Sequence, residues 1–100
     1  MFKAVITDVI VRGKQKEYKD LVERANKILE KYGLSFKTWN VKGRKGRQIF
    51  VEFEAFESES DYSAAWKKAS ADKDWQDWAR EQAESGCLVK GAEEWFLLAD

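Results

Sequence analysis

Histidine is missing from this chain, and so is proline; cysteine occurs once, at Cys87. Each absence narrows the field. Without histidine the commonest neutral-pH base and metal ligand is gone, and a Cys87 thiolate has no imidazole to activate it. One cysteine forms no disulfide within the chain, so a free thiol in a reducing cytoplasm is expected. No apolar run approaches the ~20 residues of a membrane-spanning helix. The opening M-F-K-A-V-I-T-D lacks the apolar region of a signal peptide. The expected location is therefore the cytoplasm, with no membrane partner. An excess charge of one sign is also lacking, since 18 basic residues are balanced by 18 acidic ones. Bulk binding to nucleic acid or to anionic membranes rests on such an excess, so both are disfavoured.

What is present is a folded chain: 44% hydrophobic and 36% charged residues over 100 positions, enough for one domain spanning residues 1–100. The most regular stretch is Arg47–Phe56. It places Ile49, Val51, Phe53 and Ala55 on one side of a strand and Phe50, Glu52, Glu54 and Phe56 on the other. Phe2–Val11 is rich in β-branched residues and reads as the first strand. Its alternate sides carry Ala4, Ile6, Asp8 and Ile10, and Val5, Thr7, Val9 and Val11, with Asp8 expected near a solvated strand end. Lys14–Tyr32 has an apolar stripe at helical spacing, through Tyr18, Leu21, Val22, Ala25, Ile28, Leu29 and Tyr32, and Gly33 stops it. Leu34–Lys42 alternates as a second strand, and Gly43-Arg44-Lys45-Gly46 is a connection of hairpin length. Ser58 or Ser60 caps a helix bearing Tyr62, Ala65, Trp66 and Ala69. The pattern breaks at Ala71-Asp72, and Asp72 caps a second piece bearing Trp75 and Trp78 that Ser85-Gly86 ends. Glu93–Leu98 closes the chain as a fourth strand, whose orientation the pattern leaves open.

The order β-α-β-β-α-β, with the second helix interrupted, predicts an α+β, ferredoxin-like fold: a four-stranded antiparallel sheet with its helices on one face. The expected helix side is Val5, Val9, Val11, Trp39, Val41, Ile49, Val51 and Phe53. The expected outer side is Ala4, Ile6, Asp8, Phe36, Thr38, Asn40, Phe50, Glu52, Glu54 and Phe56. So apolar an outer side needs a cover: a second copy of the chain, a nucleic acid or another protein.

The strand V-E-F-E-A-F, the helix opener E-S-E-S-D-Y, and the spacing Tyr62-x-x-x-Trp66 followed by Asp72-x-x-Trp75 resemble the dimeric α/β-barrel superfamily, and within it the NIPSNAP-like proteins. The resemblance spans the whole chain. It implies a homodimer whose two sheets meet face to face as a dimeric α/β barrel. It also implies a range of activities, including cofactor-free monooxygenases, isomerising enzymes, heme-handling enzymes and proteins of no known activity. The heme-degrading members use a histidine ligand that this chain lacks.

On this footing the expected function is binding of a small, partly apolar molecule in an acidic and aromatic cavity. A cofactor-independent monooxygenase or isomerase is the enzymatic alternative. The expected ligand-binding residues are Asp8, Thr38, Asn40, Phe50, Glu52, Glu54, Trp66 and Trp75, with no cofactor, no metal site and no assigned catalytic residue. A carboxylate among aromatic rings acquires a raised pKa and serves as a base near neutrality. Competing roles are ion pairing of Glu52 and Glu54 across a dimer interface, and core packing of Trp66, Trp75 and Trp78. The acidic run Glu57, Glu59, Asp61 reads as a helix N-terminus favourable to the helix dipole. RNA binding, or a purely structural or interaction role, is the remaining alternative. Phe50-Val51-Glu52-Phe53 fits the end of an RNA-recognition strand, beside the basic Lys42, Arg44, Lys45 and Arg47. Gly46, Arg47 and Gln48 break the motif, however, and Glu52 and Glu54 repel phosphate.

Overall fold

The computed structural model describes residues 1–43 and 46–100. β1 (Phe2–Val9) runs through the middle of the sheet, between β3 (Gly46–Phe53) and β4 (Glu94–Ala99), and β2 (Phe36–Gly43) lies outside β3. The order β2-β3-β1-β4 is antiparallel throughout. Helices α1 (Gln15–Leu29), α2 (Glu59–Ser70) and α3 (Lys73–Ser85) complete the element order β1-α1-β2-β3-α2-α3-β4. This is the expected α+β, ferredoxin-like arrangement with an interrupted second helix.

Local chemistry sets the boundaries. The apolar stripe of α1 buries Tyr18, Leu21, Ala25 and Leu29. The helix then tightens into a 3₁₀ turn at Glu30–Tyr32, which Gly33 ends at φ +76°. Ser58 caps α2 by accepting the Asp61 N–H at 3.2 Å. Asp72 sits at the predicted break and caps α3, accepting the N–H groups of Asp74 at 2.7 Å and Trp75 at 3.3 Å. The same carboxylate accepts from the Tyr32 hydroxyl and from Lys31 Nζ at 3.0 Å, so the break is tied to the end of α1. Arg44 and Lys45, part of the predicted basic hairpin, lie outside the described residues; the strands close through Gly43 opposite Gly46.

The structure corrects two strand faces. Ala4, Ile6 and Asp8 of β1, and Ile10 just after it, point to the helices, whereas Val5 lies on the outer side with Phe50 and Phe96. Phe36, Thr38 and Asn40 of β2 also lie on the helix side, and Trp39 points outward. β3 keeps the expected faces. The reason is packing rather than average polarity. Phe36 sets the register of β2: its ring lies edge-on to Phe53 at 5.5 Å, and its backbone exchanges hydrogen bonds with the Asn26 side chain. A one-residue shift would turn every side chain over. Asp8 is likewise buried, not at a solvated end, at 5% exposure. Glu54 and Ala55 fall beyond the end of β3, and Phe56 returns as a single bridge to Phe2. Among the described residues, no helix is long and apolar enough to cross a membrane.

Candidate functional site

Between the sheet and the helices lies a cavity of about 240 Å³. One wall is aromatic. Phe53 of β3 lies 5.8 Å from Trp66 of α2, Trp66 lies 5.5 Å from Trp75 of α3, and Trp75 stacks on Trp78 at 4.7 Å. Trp95 of β4 closes the ring, 6.2 Å from Trp66 and 6.4 Å from Phe53. Helical spacing brings these rings together, because 66, 75 and 78 fall on the sides of α2 and α3 that face the sheet. The Trp78 indole N–H donates to the Leu21 carbonyl at 2.7 Å, which fixes its ring against α1. The Trp66 indole N–H is buried with no hydrogen-bonding partner among the described residues.

The polar end of the cavity is made by Asp8, Glu93 and Tyr18. Register explains the first two. Thr7 pairs with Glu94 on the outer side, so the next rung of the ladder sets Glu93 opposite Asp8 on the inner side. The Trp95 indole N–H holds Glu93 Oε1 at 2.7 Å. Burial, then the negative charge of Glu93 and a hydrogen bond with it, push the Asp8 carboxyl up to about 7. Burial, then the charges of Asp8 and Glu93, raise the Tyr18 phenol as well, so it keeps its proton as a donor. The site thus combines a carboxyl that gains and loses a proton near neutrality, a phenol that stays protonated, and a largely aromatic wall. That is the equipment for accepting or delivering a proton on a small bound molecule.

The expected ligand-binding set is divided by the fold. Asp8, Trp66 and Trp75 meet in the cavity. Thr38 and Asn40 instead line a separate open groove of about 450 Å³ beside Lys16, Lys19 and Arg47, separated from the cavity by Tyr18 and Val22, which border both. Phe50 and Glu52 face the outer side, where Lys3 Nζ meets Glu52 at 2.8 Å and the Trp39 indole N–H meets it at 3.3 Å. That hydrogen bond and charge from Lys3, with a smaller part from Trp39, hold the Glu52 carboxyl below its ordinary value. Glu54 is exposed past the strand end. Tyr18, Glu93 and Trp95 are the residues that sequence reasoning missed. The signal for the last two was the alternation of Glu93, Trp95 and Leu97, readable only once β4 is known to pair with β1.

No sequence-family profile matches the chain, and comparison with curated proteins finds no match. Solved structures do match, over the whole length. A NIPSNAP domain protein from Burkholderia xenovorans superposes with a TM-score of 0.83 at 18% identity, covering 100% of this chain and 94% of that one. A NIPSNAP family protein of unknown function from Agrobacterium tumefaciens superposes at 0.80 and 17% identity, covering 98% and 86%. A protein from Nitrosomonas europaea, provisionally assigned as an antibiotic biosynthesis monooxygenase, superposes at 0.69 and 11% identity, covering 100% and 98%. The chain is therefore an α+β domain with a cavity between sheet and helices. More narrowly, its fold is that of the NIPSNAP domain proteins, as the sequence resemblance implied. At these identities the likeness is one of fold.

Proposed function

We propose that this chain is a homodimeric cytoplasmic protein that binds a small, partly apolar molecule in the cavity between sheet and helices. The observation that carries the reading is Asp8: a carboxyl at 5% exposure, held near neutrality, at the polar end of an aromatic cavity. Keeping an acid there costs stability, and a group that binds ligand is a reason for it to stay. Cys87, buried as a free thiol, accords with a reducing compartment. Support for the homodimer comes from the bare side of the sheet. Phe96 and Leu98 stand about half exposed there beside Phe50 and Val5, and Trp39 is 56% exposed. A second copy of the same side is the cover that the barrel resemblance implies.

An enzymatic reading follows from the same carboxyl. Asp8 takes a proton from a carbon acid, and Tyr18 donates to the oxygen where charge develops. Return of the proton at another carbon makes an isomerase. Attack of the carbanion on dioxygen, turning CH2 into C=O with release of water, makes a cofactor-independent monooxygenase. The Nitrosomonas neighbour favours this second version to the extent that fold does. A fragment screen followed by tryptophan fluorescence tests the binding reading. Hits that lose affinity in Trp75→Leu support it, and hits indifferent to that change remove the cavity from consideration. Light scattering across a tenfold concentration range tests the dimer, and a monomer at the highest concentration sinks it.

A further inference from the structure

The inner cavity has an unusual charge inventory. Two carboxyl groups, Asp8 and Glu93, line it, and no lysine or arginine of the described residues does. Lys16, Lys19 and Arg47 line the separate groove on the other side of Tyr18 and Val22, and Lys14, Arg24 and Lys31 pair with Glu17, Glu81 and Asp72. Among the described residues no N–H, hydroxyl or ammonium group donates to Asp8 at bonding distance, and the group it does meet is another acid. The groups facing the pair are Tyr18 from α1, Gln82 from α3 and Trp95 from β4, with Cys87 close to Tyr18. None of these carries a positive charge. Glu93 stands at the exposed edge, but a negative charge on the buried Asp8 without a counter-ion is unfavourable, and a bound cation would relieve it.

The walls point the same way. A planar aromatic ligand needs two parallel rings far enough apart to admit a third. The two parallel pairs here are already close, Trp75 with Trp78 at 4.7 Å and 14°, and Phe53 with Trp95 at 6.4 Å and 11°. Trp66 instead packs at 58° to Trp75, 73° to Phe53 and 68° to Trp95, so the wall presents ring faces and edges at several angles to the cavity rather than one slot. Ring faces carry negative potential, and tryptophan attracts cations most strongly of the aromatic side chains. The volume of about 240 Å³ suits a compact group.

From the aromatic wall and the carboxyl pair we infer that the ligand is a small organic cation, a tertiary or quaternary ammonium group lying in the cavity against Trp66, Trp75 and Trp95 and facing Asp8 and Glu93. This inference rests on the reading that the cavity holds a small molecule, and it names the class. Two probes of nearly equal shape separate the two claims: choline, and its neutral carbon isostere 3,3-dimethylbutan-1-ol. Binding is read by tryptophan fluorescence and by calorimetry with the full chain at pH 7.5. Choline is expected to bind at least about tenfold more tightly than the isostere. Asp8→Asn and Glu93→Gln should each shrink that ratio toward one while leaving the isostere's affinity unchanged. Glu93 stands at the exposed edge of the cavity, so Glu93→Gln carries the test if Asp8→Asn folds poorly. An isostere that binds as well as choline overturns the cation inference and leaves the small-molecule reading standing. Choline preference that persists in Glu93→Gln and Asp8→Asn alike also overturns it. Failure of both probes to bind at millimolar concentration counts against both.

Discussion

On the outer side of the sheet Glu52 takes a tryptophan N–H, from Trp39 at 3.3 Å, and on the inner side Glu93 takes one from Trp95 at 2.7 Å. The two settings then diverge. Glu52 also has Lys3 at 2.8 Å and open solvent, and its carboxyl is held below the ordinary value. Glu93 has Asp8 as its neighbour, and burial with that second acid carries Asp8 up to about 7. One side of the sheet uses a carboxylate as half of a surface ion pair. The other keeps an acid pair with no counter-ion among the described residues. The difference lies in the neighbours rather than in the acid, and it is what supports the proposal of a small-molecule site on the inner side.

The sharpest way to break the comparison is to remove the inner wall. Phe53 is 2% exposed and touches Phe36, Trp66 and Trp95. Phe53→Ala is expected to cost about 3–5 kcal/mol in urea denaturation, the range for deleting a buried ring. A cost under about 1 kcal/mol would mean that the aromatic wall is not part of the core.

Asp8→Asn is the next largest. The folded state holds the Asp8 proton from the ordinary carboxyl value of 3.8 up to about 7, where the unfolded chain has released it. The wild-type chain is therefore most stable below about pH 4 with respect to this group, and it loses stability as the pH rises through 7. With solvent at the cavity mouth screening the effect, the loss is on the order of 2 kcal/mol. Asp8→Asn should flatten that slope and stand above wild type at pH 8. Melting temperatures at pH 5 and pH 8 decide it, and an unchanged slope would place the titrating group elsewhere.

A smaller effect on folding, though a large one on assembly, is expected from Phe96→Glu. Phe96 projects from β4 on the outer side at 46% exposure. If two copies meet there as proposed, a charge should halve the solution mass while changing the stability of the single chain by no more than about 0.5 kcal/mol. If the mass is unchanged, the bare side is not where two copies meet.

How much of this was legible in the sequence follows from the periodicities. α1 was, because its stripe from Tyr18 to Leu29 has the helical period and Gly33 ends it at positive φ. The α2–α3 break was, because Asp72 is a capping residue at the point where the apolar pattern fails. The faces of β1 and β2 were not. Both sides of β1 are apolar apart from Lys3, Thr7 and Asp8, so alternation alone assigns no inside, and polarity chose the side that lacks an acid. The folded chain buries the acid because Phe2, Ala4 and Ile10 on the same side belong to the core beneath the helices. In β2 the polar Thr38 and Asn40 follow Phe36 inward, since a single buried ring outweighs two residues left at a groove. Glu93 and Trp95 were out of reach for a related reason: their partner, Asp8, is 85 positions or more away, and only the β1–β4 register shows that they share a side.

The finest test of the contrast is Glu52→Gln. Glutamine keeps the shape and still accepts the Trp39 N–H, so the change removes only the charge that answers Lys3. The Glu52 carboxyl is held low in the folded state, so its contribution is present above the ordinary carboxyl value and fades as pH falls through it. Both partners are about one-third exposed, 36% for Lys3 and 34% for Glu52, and exposed pairs contribute little. Glu52→Gln should thus lower the melting temperature slightly at pH 7 and not at all at pH 3. It should leave the slope between pH 5 and pH 8, and binding at the inner cavity, as in wild type. A change in that slope would mean that the two sides of the sheet communicate electrostatically across β1. The inner acid pair would then have to be read together with Lys3 rather than as a pair without a counter-ion.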